Sequence, residues 1–341
     1  MICKMLLLFN LFFFSTLQRV VSDFCHKADS FLGVIQSKVF PATFLFVVLV
    51  GLSLNLSVVW ILFSRIKRWT RSTVFLCNLA LADITWILCL PCLIYYHFNG
   101  LHWSFGNALC KVTRTLYHSC FYCSIYFVSC MSIDRYLAIV HPLKSLRMLR
   151  KSQALALCLT IWAITFISSV PVTFIAGTEL CENNKTICSL YVFSKNTDVS
   201  LPLSLFSTVA GCLLPFASIC YCYCSSLGQL RRIELQRLKK RDMLIKLMFS
   251  AWVIFALLYL PYHASRNSCI ILRVIQPKLD KAIETADAVF FIEMAVCSLN
   301  TCINPLFCFL AGADFREQVC RIVHSIKPLK SWNGSRRVCP V

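Results

Sequence analysis

Long apolar runs separated by short polar joints dominate the chain. The runs lie at roughly 40–63, 72–98, 108–140, 153–175, 200–226, 242–272 and 282–310. Each is close to the roughly 20 residues that cross a bilayer as an α-helix, and none has the alternating segments of about 10 residues that form an outer-membrane barrel. The pattern therefore predicts an all-α fold, a seven-transmembrane helix bundle over residues 40–310.

The beginning of the chain has a different pattern. Met5 to Leu17 is a mostly apolar stretch of 13 residues, preceded by Lys4 and followed by small residues near Ser22. It is too short for a span and predicts a cleavable signal peptide over residues 1–22, with residues 23–39 as an extracellular N-terminus. The alternative is a tail lying on the membrane surface, but the stretch lacks the polar face that such a tail requires.

Composition and charge fit the membrane prediction. Of the 341 residues, 58% are hydrophobic and 14% charged, which excludes an ordinary soluble domain. Three alternate joints carry 14 Lys and Arg residues and the opposite joints only 5, so the basic joints are expected in the cytosol and the N-terminus outside. This asymmetry explains the net charge of +19, because the basic joints would face the anionic lipids of the inner leaflet. No nucleic-acid partner is expected.

Cysteine is abundant, at 22 residues, and most of it lies in the apolar runs as a small apolar side chain. Five cysteines fall on the predicted outer side, where the compartment is oxidising: Cys25, Cys110, Cys181, Cys188 and Cys269. Because five is an odd number, at least one of them has no partner within this set.

Some polar residues interrupt the apolar runs, and each is a candidate for function because an intramembrane charge is costly. Asp83 is the clearest, and Asn55, Ser124, Asn300 and Asn304 could surround its carboxylate. Residue types alone leave two interpretations equally open: a structural hydrogen-bond network, or a small cation site built from oxygen ligands.

A second polar pair, Asp134 and Arg135, ends the third run at the cytosolic edge. The two could form a local ion pair that breaks when Arg135 finds another partner, which would make a bistable element. The alternative is an interfacial pair whose side chains reach the lipid headgroups.

The order and spacing of several motifs resemble a known family. These are "GLSLN", "NLALAD", Trp103 before Cys110, "DRYLAIVHP", Trp162, Pro215, Pro261 and "NPLFCF". Together they resemble the rhodopsin-type (class A) G-protein-coupled receptors over about residues 35–325. The resemblance implies a plasma-membrane receptor, not an enzyme, that signals through a heterotrimeric G protein.

The resemblance also implies roles for individual residues. Cys110 would pair with Cys188, Cys25 is a candidate partner of Cys269, and Cys181 would remain unpaired. A sodium pocket is implied at Asp83, Ser124, Asn300 and Asn304, and a packing switch at Ile125, Pro215 and Phe255. The implied coupling residues are Asp134, Arg135, Tyr136, Tyr223, Asn304 and Pro305. The tyrosine of the family's seventh-helix motif falls on Cys308, and Tyr259 stands where many members have tryptophan.

Beyond Gly312 the chain has one apolar and one basic helical face. This predicts an amphipathic cytosolic helix on the membrane surface over residues 311–325, with Cys320 as a palmitoylation candidate and residues 326–341 as a cytosolic tail. Asn184 begins an Asn-Lys-Thr glycosylation sequence in an outer joint.

Cations and tyrosines recur at helical spacing near the outer ends of the third and sixth runs. They are Arg114, Tyr117, His118 and Tyr122 on the third, and Tyr259, His263 and Arg266 on the sixth. Arginines and histidines converging in an apolar funnel predict a small anionic agonist, with tyrosines as stacking surfaces and donors.

"CKVTRTLYH" and "PYHASR" resemble the purinergic nucleotide receptors, which implies a nucleotide as agonist. Their seventh-helix arginine falls on Met294, beside the acidic Glu293. Glu293 could repel a phosphate, hold Arg114 or Arg266 in the empty receptor, or be a solvated residue angled toward helix one. Leukotriene, dicarboxylate and lysophospholipid receptors are the alternatives within the family, and a transporter or a non-signalling decoy are the alternatives outside this function. No cofactor is expected apart from an allosteric sodium ion.

Overall fold

A computed structural model describes residues 28–141, 150–180, 186–193, 197–230, 238–276, 280–305, 315, 317–319 and 321. Within these ranges, seven helices are long and apolar enough to cross a membrane. They are α1 (Phe31–Ser64), α2 (Arg71–Phe98), α3 (Gly106–Val140), α4 (Lys151–Ile175), α5 (Thr197–Gln229), α6 (Met248–Ile275) and α7 (Lys281–Ile303). The predicted all-α fold with seven spans is confirmed.

The ends of the helices differ from the predicted runs, most of all at the start of the chain. The helix that contains α1 already begins at Ala28, so part of the predicted extracellular N-terminus is helical. The helix begins earlier than the predicted run because the prediction followed the apolar residues only, and the extracellular location of this segment stays a prediction. The added turns contain no breaker and bury Ile35 and Phe40 inside the bundle.

Several helices contain wider turns in which hydrogen bonding shifts toward the i→i+5 pattern. These turns are Ile35–Val39 and Val47–Gly51 in α1, Val209–Leu213 in α5 and Phe255–Tyr259 in α6. The last two come just before Pro215 and Pro261, whose missing N–H groups and rings disturb the preceding turn. The wider turns change which side chains face the bundle beyond them.

Polar side chains tie the helices together inside the bundle. The Asn55 amide donates to the Thr301 carbonyl at 2.9 Å and joins α1 to α7. Trp162 Nε1 donates to Asn78 Oδ1 at 3.1 Å and joins α4 to α2. α3 packs against α2, α4 and α5 and forms the centre of the core. Asn55 therefore bonds to backbone, not to Asp83 as its position in the sequence had indicated.

The outer loop between α4 and α5 forms a small antiparallel hairpin, β1 (Thr178–Leu180) with β2 (Thr186–Cys188), and then a short helical turn, Tyr191–Phe193. A disulfide joins Cys188 to Cys110 at the start of α3, as the resemblance implied. The Trp103 amide donates to the Thr186 carbonyl at 2.7 Å and adds a second attachment. The hairpin is thus held over the outer end of α3.

The predicted amphipathic helix is confirmed in part, since residues 315, 317–319 and 321 are helical. Phe315 is buried in the core, whereas Glu317 and Arg321 form an exposed ion pair one turn apart. This separation matches the predicted apolar and polar faces. The signal peptide, Cys25, Cys181, Asn184, Cys308 and Cys320 lie outside the described residues, so the predictions for them stay predictions.

Candidate functional site

A narrow, partly enclosed cavity lies under the outer hairpin and has about 430 Å³ of empty space, counting the part open to solvent. Its polar lining comes from α3, the outer loop and α6: Arg114, Tyr117, His118, Tyr122, Tyr191 and Tyr262. Its apolar lining is Phe121, Val172, Leu190, Val192, Phe290 and Met294. The mixture of many apolar walls with few polar groups is typical of a small-molecule site.

Arg114 is the cation of this cavity. One of its terminal nitrogens donates to the Cys188 carbonyl at 2.8 Å, so the disulfide loop fixes the side chain. Its Nε is buried with no hydrogen-bond partner in the described residues, and no described carboxylate pairs with it. A buried guanidinium without a counter-ion is a strong site for an anion.

His118 lies one turn further along α3 and also lines the cavity. Its Nδ1 is 2.8 Å from Ser169 Oγ, which also lies 2.7 Å from the Thr165 carbonyl. His118 Nε2 is buried without a described partner, as is the Tyr191 hydroxyl on the neighbouring ring. Three buried polar atoms of residues that line the cavity thus have no described partner: Arg114 Nε, His118 Nε2 and the Tyr191 hydroxyl.

Arg266 does not line the cavity, contrary to the predicted convergence of both arginines. It is 1% exposed and turned toward α5, where it donates to the Ser204 carbonyl at 2.9 Å and to Thr208 Oγ1 at 2.9 Å. It also donates to the Tyr122 hydroxyl at 2.7 Å, from behind the cavity wall. These neutral partners hold Arg266 as a link between α3, α5 and α6.

His263 and Tyr259, the other predicted ligand-binding residues of α6, also lie outside the cavity lining. His263 Nδ1 accepts a hydrogen bond from Arg266 at 3.0 Å and lies 3.3 Å from Thr208 Oγ1. Tyr259 is fully buried one turn deeper, and its hydroxyl accepts from the Asn300 amide at 2.6 Å. Neither lines the cavity. Helical spacing predicts that residues share a face, but it does not predict the rotation of that face against the neighbouring helices, so the ligand-binding role of these residues stays a prediction.

Tyr262 takes the place in the cavity wall that the sequence had assigned to its neighbours. Its ring packs 5.1 Å from Phe121 and 5.9 Å from Phe290, and the three rings form one side of the cavity. Sequence reasoning missed Tyr262, Tyr191 and Phe290. The only signal for Tyr191 was its position three residues after Cys188, which holds the loop over the cavity.

The facing helix offers no cation within the described part of the cavity. Met294 lines it, one turn from Phe290, as expected from the missing arginine. Glu293 is 5% exposed, so the interpretation as a residue solvated from outside was wrong. Glu293 forms no ion pair with Arg114 or Arg266 among the described residues.

Below the cavity, Asp83 forms the predicted polar centre. The Asn304 amide donates to Asp83 Oδ2 at 2.8 Å and to Ser124 Oγ at 2.9 Å. Asp83 Oδ1 and Asn304 Oδ1 are buried without a described partner, which leaves two oxygens for a cation. Asn300 instead bonds to Tyr259, so three of the four predicted ligands converge.

The predicted packing switch occupies the next layer. Ile125 and Phe255 are both fully buried, Pro215 is buried on α5, and the Phe255 ring lies 4.8 Å from Tyr259. Because Tyr259 bonds to Asn300, this layer touches the polar centre. A shift of α6 would therefore disturb both.

At the opposite end of α3, Asp134 holds a group of cations. Arg135 donates to Asp134 Oδ2 at 2.5 Å, which confirms the local ion pair. Arg71 and Ser72, at the start of α2, also donate to this carboxylate, Ser72 at 2.6 Å. Sequence reasoning had counted Arg71 only as a basic joint residue.

Two further coupling candidates lie near this group. Tyr136 contacts Tyr221 of α5 with ring centroids 5.7 Å apart. Tyr223 lies 6.3 Å from the ring of Phe249 on α6, and no described hydrogen bond joins it to Arg135. Arg135 is bound to Ser72 of α2 and to Asp134, and whether the pair is a bistable element stays a prediction.

Comparison with known proteins agrees with the seven transmembrane helices. Residues 54–307 match the family described as "7 transmembrane receptor (rhodopsin family)". The chain belongs to this family of G-protein-coupled receptors, and it is a receptor and not an enzyme.

Within the family, the chain belongs to the purinergic branch. It is 31% identical to purinoceptor 1 of Cavia porcellus and of Homo sapiens, over 82% of this chain and 76% of theirs. It is also 31% identical to purinoceptor 4 of Xenopus laevis, over 83% of this chain and 53% of that protein. The resemblance inferred from the motifs is confirmed, and the chain is a multi-pass plasma-membrane protein.

Proposed function

We propose that the protein is a receptor for a small extracellular anionic agonist, with a nucleotide as the leading candidate, and that it signals through a heterotrimeric G protein. The observation that carries the proposal is Arg114, a buried cation whose Nε has no described partner, in the lining of a largely apolar cavity. The purinoceptor relatives support the nucleotide class. The basic joints then face the cytosol and the N-terminus is extracellular.

The mechanism requires an agonist that binds the active bundle better than the resting one, because equal affinity shifts no equilibrium. An anion on Arg114 would compete with the Cys188 carbonyl, and its body would press on Tyr122 and Tyr262. Because the Tyr122 hydroxyl is bonded to Arg266, a displacement of the Tyr122 ring would move Arg266 and, with it, α5 and α6. Movement of α6 would open the cytosolic end, where Arg135 leaves Asp134 to engage the G protein.

Sodium binding at Asp83 is the second part of the proposal. Two free oxygens beside Ser124 suit a hard cation, and a bound ion would stabilise the resting packing of α2, α3 and α7. Agonist affinity should then fall as sodium replaces a large organic cation in the buffer. Asp83→Asn should remove that dependence, and a dependence that persists in this variant would contradict the site.

The function is tested by agonist-promoted exchange of GTP analogue on G proteins in membranes containing the receptor. A panel of nucleotides, dicarboxylates, leukotrienes and lysophospholipids is compared on wild type, Arg114→Gln and Lys111→Gln. Lys111 is the matched control, because it lies on the same helix but does not line the cavity. Arg114→Gln should weaken the active ligand at least about ten-fold and Lys111→Gln should not, since a hydrogen bond to a charged group contributes about 1.5–3 kcal/mol.

The same assay separates the remaining alternatives. A ligand that binds but promotes no exchange would identify a decoy. Equal potency on wild type and Arg114→Gln would overturn the assignment of the anion site. A response confined to a ligand without negative charge would also overturn the assignment of the anion site.

A further inference from the structure

We infer that the agonist carries a single anionic group, a phosphate monoester, on an aromatic or aliphatic body that also offers an O–H or N–H donor to His118. The inference rests on the proposed function, because it specifies which anion the cavity takes. Three features of the cavity support it: its cations, its walls and the hydrogen bonding of His118.

The first feature is the number of available cations. Arg114 is the only Lys or Arg among the described residues that line the cavity. Arg266 is bound to Ser204, Thr208 and Tyr122, and a ligand could reach it only by breaking several of these bonds. A diphosphate or triphosphate would therefore bury negative charge that no described cation matches, and unmatched buried charge is strongly unfavourable.

The second feature is the nature of the walls. The cavity is lined by the aromatic residues Tyr117, Phe121, Tyr262 and Phe290. Met294 of α7 also lines it. Aromatic rings favour stacking of a flat body or burial of an aliphatic one. The polar group of the ligand is thus held at one end, by Arg114, and the rest of the ligand is in apolar surroundings.

The third feature is the hydrogen bonding of His118. The one proton of Ser169 Oγ has two acceptors in reach, the Thr165 carbonyl at 2.7 Å and His118 Nδ1 at 2.8 Å. We assign it to the carbonyl, the shorter contact, so that Ser169 accepts from His118 Nδ1–H and Nε2 of the neutral ring is an acceptor. Nε2 is buried without a described partner, on a residue that lines the cavity. An imidazolium would be a buried charge with no acidic partner in the described residues, so the neutral ring is the form that the site favours.

Two sources supply this shared chemistry. A nucleoside monophosphate has one phosphate, a flat base and ribose hydroxyls. A monoacyl glycerophosphate has one phosphate, an aliphatic chain and a free hydroxyl. Both satisfy Arg114, the aromatic walls and His118, so the experiment has one arm for each.

The test measures displacement of a bound tracer by competing ligands on the wild-type receptor in nanodiscs, where no cell-surface enzyme can trim phosphates. One arm compares adenosine and uridine mono-, di- and triphosphates. The other compares monoacyl glycerophosphate with its pyrophosphate analogue. We expect the single-phosphate member of the active arm to bind at least about ten-fold more tightly than its polyphosphate counterparts, because unmatched buried charge costs several times the energy of a ten-fold change.

Affinity that rises with the number of phosphates would overturn the single-anion inference and leave the proposed function intact. Absence of binding by every probe would overturn the single-phosphate inference, and the exchange assay with its wider ligand panel would then decide the proposed function separately. Since this comparison uses only the wild-type protein, it does not depend on the folding of a variant.

The role of His118 is tested by a cycle in which the donor hydroxyl of the active ligand and the His118 ring are removed separately and together. The deoxy ligand should lose about five- to ten-fold on wild type, as expected for one net hydrogen bond of about 1 kcal/mol. It should lose nothing further on His118→Phe. Tyr117→Phe is the matched control, one residue earlier in the same cavity wall, and should leave the hydroxyl effect unchanged. An equal loss on wild type and His118→Phe would overturn this part of the inference.

Discussion

Gly211 allows α3 and α5 to approach each other at the cavity wall. It lies in the wider turn Val209–Leu213, and a Cβ added there would come closer than 3.0 Å to two ring carbons of Tyr122. The Tyr122 hydroxyl accepts a hydrogen bond from Arg266, so the ring cannot move away freely. We expect Gly211→Ala to disturb the contact that joins the cavity to α5 and α6.

The size of the effect follows from these contacts. Overpacking of a well-packed core costs about 1–3 kcal/mol. If the ring shifts enough to break its bond to Arg266, about 1.5–3 kcal/mol more is lost, because the donor is charged. Gly228, on the same helix, has no atom within 4 Å of an added Cβ, and its replacement by alanine should gain about 0.5–1 kcal/mol.

The assay is thermal unfolding of the purified receptor in detergent, followed by a thiol-reactive dye or by loss of monodispersity. Gly211→Ala should unfold several degrees below wild type, and Gly228→Ala should unfold at or above it. In a Tyr122→Ala background, Gly211→Ala should lose its effect, because the clashing ring is absent. Equal midpoints for Gly211→Ala and Gly228→Ala would refute the close approach.

Three further predictions concern the two ends of the bundle. Asp134→Asn should raise agonist-independent nucleotide exchange about ten-fold, because charged hydrogen bonds worth about 1.5–3 kcal/mol no longer hold Arg135; unchanged basal exchange would contradict the resting role of this group. Cys110→Ser should lower cell-surface expression, since closing a loop of 78 residues contributes up to about 4.5 kcal/mol in the entropic model; expression equal to wild type would show that the hairpin is held without the disulfide. Arg273 donates to both carboxylate oxygens of Asp287 at 2.6 Å, and a double-mutant cycle with alanine should give a coupling of about 1 kcal/mol in thermal unfolding; additive effects would mean that the pair contributes nothing.

Sequence reasoning succeeded where the residue type and the compartment leave little choice. The seven spans follow from the cost of placing unpaired backbone in lipid, which makes helices of sufficient length the only solution for this pattern. Asp83 and Asp134 were identified because an intramembrane carboxylate has to find partners, and each has them. The branch within the family was identified from motifs whose order and spacing are specific.

Sequence reasoning predicted the residues of the cavity less well. Arg114 and Arg266 have similar chemistry and similar depth, but one faces the cavity and the other is enclosed by α5. Nothing in the local sequence of α6 separates them, because the serine and threonine that enclose Arg266 lie about 60 residues away. Tyr191 and Tyr262 were missed for the same reason.

The sequence by itself determined that this protein crosses the membrane seven times and that it belongs to the rhodopsin family of receptors, and it predicted an outer half that favours anions. The tertiary structure decided which cation is available to a ligand. Hydrophobic length and charge are properties of a segment, so they can be read along the chain. The direction of the Arg266 side chain depends on how closely α5 approaches α3, and that distance is set by the missing side chain of Gly211 against Tyr122.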